Sequence, residues 1–525
     1  MPGSETSRQG VSLGEVLIGA FTRYGDRTAF VQEDRTYTYR QAADLLARMI
    51  SVFNQRGVGA GSAIAALSPN CAEVFLAQTA AWLAGGRYSG LHPLGSFDDQ
   101  LYTCDDAEFD LIVAHPAFAS RAAGLAEKAA TVKQVLTLGP TDGVGEDLLA
   151  LCEQAAPARL HPGPAREDDL CWLQYTGGTT GRPKGVELSH RSIVQTIYST
   201  LCSWEIPAQP RYLAASPITH AALVPLLPTL VLGGEVHLHT HFDPQHWLDT
   251  VEKQHINYAL AVPSMIYALL DHGDPTHRDT SSLVTVNYGA APMAPSRLAE
   301  AHEAIGPVFT QVYGQTECAA IGTSLLKAEH HMTGAPDLLR SCGRPVVGAR
   351  VEVLDDDNQQ VEDGTIGEIC IQGPSVMDGY WKLPDETSSA LSGGWLHTSD
   401  MAFRDEDGFL FIVDRKKDMI ITGGFNVYPR EIEDVLNAHP GISAAAVIGV
   451  PDEKWGEAVK AIVVARPGND VDVDELVALV KEHKGPHHAP KSIEVVDGLP
   501  MTGLGKVDKA ALRADYWHDN DRQVN

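Results

Sequence analysis

The chain has 525 residues, more than one hydrophobic core supports, and with 44 % of them hydrophobic and 21 % charged its composition is that of a soluble globular protein. Its formal net charge of −28 disfavours a nucleic-acid binder, which neutralises phosphates with surplus Lys and Arg. It equally disfavours docking on an anionic membrane surface.

A helical period over 13–21 opens the chain, followed by a hairpin through 28–31 and 37–39 and a second helix over 39–53. Apolar strand-like runs follow at 63–67, 110–114 and 134–138, with a helical stretch at 72–84 among them. Such alternation predicts a mostly parallel sheet covered on both faces. A loose Ala- and Pro-rich stretch, 155–164, closes this unit. Strands resume at 212–216, 235–238, 258–262 and 283–287, with helices at 264–270 and 295–305. From 350 to 371 the texture changes to short strands with polar turns, as in a small all-β unit. A charge run at 414–418 precedes strands at 444–450, 458–464 and 492–496 and helices at 429–437 and 473–482, enough for a separate small core.

The eight cysteines form no Cys-x-x-Cys pair and read as reduced, mostly buried thiols. The N-terminus lacks the charged start and apolar core of a signal peptide. The most apolar segment, 221–232, carries Pro225 and Pro228 and falls short of the about 20 residues that cross a bilayer. No integral membrane segment and a cytoplasmic location are expected.

The densest chemical signal is Tyr175-Thr176-Gly177-Gly178-Thr179-Thr180-Gly181-Arg182-Pro183-Lys184-Gly185. Its glycines let backbone N–H groups converge on anionic oxygens. Its threonines add hydroxyl donors, and Lys184 adds a point charge, so the loop suits a polyphosphate. It departs from the common P-loop, in which Gly-Lys is followed by Ser or Thr at a helix start. Here Pro183, which has no N–H, precedes the lysine and Gly185 follows it. The whole string resembles the phosphate-binding signature of the adenylate-forming superfamily: acyl-CoA synthetases, luciferases and the adenylation domains of peptide synthetases.

Four further stretches match that superfamily in its order along the chain. Ser216-Pro-Ile-Thr-His220 offers His220 as a gate over the acyl carboxylate. The stretch 216–223 has no aspartate, which disfavours an amino-acid substrate. Asn287-Tyr288-Gly289-Ala290-Ala291-Pro292 would line the adenine and one wall of the acyl pocket. In Tyr313-Gly314-Gln315-Thr316-Glu317, the resemblance gives Tyr313 and Gly314 to the nucleotide, Thr316 to the α-phosphate and Glu317 to Mg²⁺, a hard cation that prefers oxygen. Trp395-Leu-His-Thr-Ser-Asp400 and Asp414-Arg415 place Asp400 and Arg415 on the ribose. Ser399 stands where the family has glycine; serine is small, so little harm is expected, and whether the backbone is strained at that turn is left open.

Pro500-Met-Thr-Gly-Leu-Gly-Lys506 resembles the mobile lysine motif, whose ammonium would bridge substrate carboxylate and α-phosphate. By the same resemblance Lys417 is the hinge pivot, and Gly423, Gly424 and Phe425 line a pantetheine tunnel. Trp455 contacts coenzyme A. The acyl pocket is expected among His220, Leu223, Val224, Tyr288, Gly289, Ala290, Ala320 and Ile321, which are mostly apolar or small.

The implied fold is α/β, with an N-terminal adenylation domain over 1–414: α/β subdomains over about 1–165 and 166–330 and a small β-barrel over about 331–414. A hinge at 415–418 leads to a small mobile α+β domain over 419–525. The implied function is an ATP-dependent, AMP-forming acid–CoA ligase using ATP, Mg²⁺ and coenzyme A. Its substrate is a hydrophobic monocarboxylic acid: fatty, aryl, or a bulky natural-product acid. Loading of a separate carrier protein, luciferase-like oxygenation and an inactive nucleotide-binding homologue stand as alternatives. No carrier domain follows residue 525, which favours free coenzyme A; a homodimer is left open.

Overall fold

The computed structural model describes residues 10–176, 182–331, 336–416, 418–422, 425–452, 454–466, 468–469, 471–502 and 506–517. Its largest sheet has nine strands. Arg211–Ala214, Glu235–Leu238, Tyr258–Ala261, Thr285–Gly289 and Phe309–Tyr313 run parallel at its centre. The second sheet has eight strands, with Ala63–Leu67, Arg87–Gly90, Leu111–Ala114 and Gln134–Thr137 parallel. Ala63–Leu67 is buried at every position, as a strand covered on both faces must be.

The subdomain ranges 1–165 and 166–330 cut across these sheets. The hairpin Thr28–Gln32 and Arg35–Thr38 joins the nine-stranded sheet through Glu235–Leu238. Leu170–Thr176 and Lys184–Ser189 join the eight-stranded sheet beside Arg87–Gly90. Local patterning gives a strand its type; its sheet is decided by partners far along the chain.

The helix Ala72–Leu83 is buried at every residue. It is apolar nearly all round, and such a helix must sit inside a core. Its one charged residue, Glu73, is 2 % exposed and accepts hydrogen bonds from Arg35 at 2.9 Å and the Tyr37 hydroxyl at 2.8 Å. This pairing satisfies a carboxylate that would otherwise be costly to bury.

The β-rich unit, expected as a small barrel, forms a four-stranded antiparallel sheet: Arg350–Leu354, Gly367–Gln372, Leu396–Arg404 and Leu410–Arg415. The C-terminal unit has its own core, including Ile420, Ile432, Leu436, Val447, Val463 and Leu476. A long hairpin, Ile442–Asp452 with Gly456–Ala465, forms its centre, and Ser492–Val496 pairs parallel with the second strand. No described helix is long and apolar enough to cross a membrane.

Candidate active site

Two antiparallel strands flank the glycine-rich stretch expected to hold phosphate. Leu170–Thr176 enters it, Lys184–Ser189 leaves it, and Thr176 pairs with Lys184 in register. Gly177, Gly178, Thr179 and Thr180 lie outside the described residues. The entering strand is pinned by the Tyr175 hydroxyl, which donates to Asp106 at 2.5 Å. Gly185 is required by close packing: a Cβ there would come within 3.0 Å of Leu173, 3.1 Å of Tyr175 and 3.2 Å of Trp381.

The Glu317 turn is equally tight. A Cβ on Gly314 would lie 2.3 Å from the Ala320 carbonyl carbon. Ala319 and Ala320 sit in the left-handed region at φ +50° and +64°, conformations that non-glycine residues adopt at a cost. Glu317 is half-buried and accepts a 2.9 Å hydrogen bond from the Tyr380 hydroxyl. Burial and that carboxylate push the Tyr380 phenol above its ordinary range. Lys184 lies over the same ring, its ammonium 5.2 Å from the centroid. Cys318, the next residue, is buried, and burial pushes its thiol up to about 12. Among the described residues no group of three or more His, Cys, Asp or Glu is placed to cage a metal. One carboxylate fits Mg²⁺ nonetheless, because that ion is usually held by one or two carboxylates together with substrate phosphates.

Asp400 is 4 % exposed on Leu396–Arg404 and pairs in register with Arg415 on Leu410–Arg415. Its Oδ2 accepts from the Tyr313 hydroxyl at 2.7 Å and from Gln315 Nε2 at 2.8 Å. Its Oδ1 meets Arg415 Nε at 3.1 Å. The same Gln315 amide also donates to the Thr398 carbonyl at 2.8 Å. Sequence reasoning gave Gln315 no role, although it lies inside the quoted motif. Ser399 has φ +59°, a left-handed backbone that residues other than glycine adopt at a cost.

Thr285–Gly289 carries the adenine-wall motif. A Cβ on Gly289 would lie 2.0 Å from the Val312 carbonyl oxygen, so only glycine fits against the neighbouring strand. Ala290 is left-handed at φ +65°, Ala291 is half-buried and Pro292 exposed. Tyr288 is 1 % exposed in a core cluster with Phe309 and Met293, and its hydroxyl lies 2.9 Å from His330 Nε2.

His220 has its Nδ1 2.9 Å from the Thr219 hydroxyl and its ring 5.5 Å from that of His92. Burial first, and the like-charged neighbour second, hold its pKa down to about 3, so the ring is neutral. His92 carried no sequence signal. Leu223, Val224 and Ile321 pack in the main core, and Ala320 lies half-buried against it.

Lys417, Gly423 and Gly424 lie outside the described residues, as does the Phe425 side chain; the Phe425 backbone opens the short strand Phe425–Val427. Beside the expected hinge at 415–418, Asp414 accepts from the Arg430 N–H at 3.0 Å, and Arg513 pairs with Asp418 at 2.8 Å. Trp455 is 38 % exposed, with the Lys454 and Lys491 ammonium groups 4.7 and 5.8 Å from its ring. Lys506 is half-exposed; its N–H donates to the Thr502 hydroxyl at 3.2 Å and its carbonyl accepts from the Thr502 N–H at 2.7 Å.

A family profile described as AMP-binding enzyme matches residues 19–381, and its C-terminal domain profile matches 431–506. The chain belongs to the AMP-binding enzyme family. Within that family it falls in the acyl-CoA synthetase branch of the adenylate-forming superfamily. This AMP-binding enzyme is 44 % identical to a medium/long-chain-fatty-acid–CoA ligase of Mycobacterium tuberculosis, over 99 % of this chain and 93 % of that one. It is 36 % identical to a feruloyl-CoA synthase of Amycolatopsis, over 91 % and 94 % of the two chains. Among solved structures it resembles the amide bond synthetase McbA from Marinactinospora thermotolerans, with TM-score 0.88, 33 % identity and coverage of 96 % and 100 %. ATP-bound MatB from Rhodopseudomonas palustris gives TM-score 0.87, 29 % identity and coverage of 97 % and 99 %.

Proposed function

We propose that this AMP-binding enzyme, an AMP-forming acid–thiol ligase, joins a hydrophobic monocarboxylic acid of the medium- to long-chain fatty type to coenzyme A. The observation that carries the substrate class is a neutral imidazole, His220, whose carbonyl accepts from the Leu223 N–H at 3.1 Å at the start of the apolar helix Leu223–Val231. Likeness to the mycobacterial fatty-acid ligase along nearly the whole chain supports the same reading.

In the first half-reaction a carboxylate oxygen attacks the α-phosphorus of ATP, and the bond to pyrophosphate breaks. The phosphate loop and Lys184 hold the departing phosphates. Glu317 would hold Mg²⁺, which supplies neutralising charge between phosphate oxygens. Asp400 and Arg415 take the ribose. In the tautomer whose Nδ1 accepts from Thr219, the His220 ring carries its proton on Nε2 and can donate it to a carboxylate oxygen. Lys506 stabilises the charge that builds between carboxylate and α-phosphate.

In the second half-reaction the thiol sulfur of coenzyme A attacks the acyl carbon, losing its proton, and AMP leaves. A rotation about Lys417 would withdraw Lys506 and bring the segment 423–429 to the site, with Trp455 against coenzyme A. The domains are accordingly 1–414 and 419–525, joined by the hinge.

The test is incubation with ATP, Mg²⁺, coenzyme A and a panel of fatty, aryl and polycyclic acids, reading AMP and CoA esters by mass spectrometry. Medium- and long-chain fatty esters are expected. Preference for an aryl or polycyclic acid would overturn the substrate class. Pyrophosphate exchange without a CoA ester would point to another acceptor, a carrier protein or an amine. Tight ATP binding with no exchange on any acid would leave a nucleotide-binding homologue.

A further inference from the structure

We propose that Tyr380 is a positioning residue that keeps the phosphate-loop lysine and the Glu317 carboxylate apart and aimed, so that both are set before the nucleotide arrives. The inference rests on the reading of Lys184 and Glu317 given above.

The argument begins with the backbone. Residues 377–381 brace the Glu317 turn against the strand that leaves the phosphate loop. Met377 N–H donates to the Glu317 carbonyl at 2.8 Å. Asp378 N–H donates to the Glu187 carbonyl at 3.0 Å, and Trp381 N–H to the Gly185 carbonyl at 2.8 Å. Gly379–Tyr380 is a short antiparallel strand opposite Lys184–Ser189, with Tyr380 paired to Val186. The two loops that would hold the phosphates and the metal are thus stitched to one short segment, at whose centre Tyr380 lies.

The side chain completes the brace. Its ring faces the Lys184 ammonium at 5.2 Å, within the range of a cation–π attraction. Its hydroxyl donates to Glu317 Oε1 at 2.9 Å. A lysine and a glutamate on adjacent loops have an alternative: pairing with each other. A direct ion pair would spend the ammonium that should face phosphate and the carboxylate that should face a cation. The phenol offers each charge a weaker partner. The ring attracts the ammonium without covering its N–H donors, and one accepted hydrogen bond leaves the carboxylate with ligating capacity. A merely structural aromatic would not need its hydroxyl on the Glu317 carboxylate.

The experiment measures ATP binding by calorimetry without acid, so that no turnover intervenes, in the presence of Mg²⁺ and again with chelator. Tyr380→Phe keeps the ring and removes the hydroxyl. It should weaken binding about tenfold with Mg²⁺ and leave Mg²⁺-free binding unchanged, as expected for loss of one charge-assisted hydrogen bond. Tyr380→Leu removes the spacer as well and should weaken both. In turnover assays Tyr380→Phe should raise the Mg²⁺ requirement without changing KM for the acid. Equal losses with and without Mg²⁺, or no loss in either, would overturn the proposal. Glu317→Gln serves as the control. If it leaves Mg²⁺-dependent binding intact, the role of Glu317 falls and the proposal with it; if it abolishes that dependence while Tyr380→Phe does not weaken it, the proposal alone fails.

Discussion

Asp400 is 4 % exposed and already holds Tyr313, Gln315 and Arg415, whereas Trp455 in the C-terminal unit is 38 % exposed and Lys506 lies half-exposed in a turn. Both sets are assigned to one reaction, yet they are built differently. The groups assigned to ribose, phosphate and metal sit at strand ends and tight turns, braced from several sides. Three residues of the neighbouring turns, Ala290, Ala319 and Ala320, hold left-handed backbone, and Ser399 does so beside the ribose aspartate. Strain of that kind persists only where the surroundings over-determine the backbone. The groups assigned to one half-reaction each lie on half-exposed segments. A partner needed throughout the cycle can be met by a rigid wall; a partner that must be exchanged requires a surface able to leave.

Substitutions can break this contrast. The largest effect is expected from Lys506→Ala, which should slow pyrophosphate exchange by about 10²- to 10³-fold, the usual cost of a preoriented charge. It should spare thioester formation from supplied acyl-adenylate, and equal loss of both steps would remove the division of labour. Lys417→Pro should reverse the pattern, because proline fixes φ at the pivot. Exchange should persist while thioester formation falls by at least about tenfold, and an unchanged thioester rate would place the pivot elsewhere.

On the rigid side, Asp400→Ala strips an acceptor from Tyr313, Gln315 and Arg415 together. A stability loss of about 2 kcal/mol in denaturant melts is expected, alongside weaker ATP binding. Loss of binding with unchanged stability would mean that the wall is not prebuilt.

A smaller effect concerns protons. Burial holds His190 and His239 down to about 4, whereas an unfolded histidine titrates near about 6.5. Between these values the unfolded chain binds more protons, so this contribution to stability is lost as pH falls. Any stability difference between the wild type and His239→Gln should therefore shift in the variant's favour from about pH 7 to about pH 5. A difference that stays constant would mean His239 titrates normally.

The smallest change is a gain. Ser399→Gly relieves φ +59° and should raise stability by up to about 1 kcal/mol. No gain would mean that the Ser399 side chain compensates for its backbone.

Much of this was legible from the chain alone. Glu235–Leu238 and Arg350–Leu354 run where apolar alternation placed them, and helices Pro295–Ile305 and Pro429–Asn437 begin at the prolines that favour a first helical turn. The helix His190–Ser203 escaped because its β-branched residues and serines blur a helical period. Pro244–Gln254 escaped because most of its residues are polar. The site motifs were readable as strings, but their interlocking was not. Tyr313 reaches Asp400 across 87 residues and Tyr380 reaches Glu317 across 63, and no local pattern encodes such pairs. Tyr288 meets His330 across 42 residues in the same way.

The thiols carry one further consequence. An acyl-adenylate is a mixed carboxylic–phosphoric anhydride that sulfur attacks readily, and the attacking species is thiolate. Cys318 adjoins Glu317, yet its sulfur is buried and burial favours its protonated form, as it does for Cys71, Cys104, Cys152, Cys342 and Cys370. These buried thiols are therefore poor rivals to the incoming sulfur, and Cys202 alone among the eight is exposed.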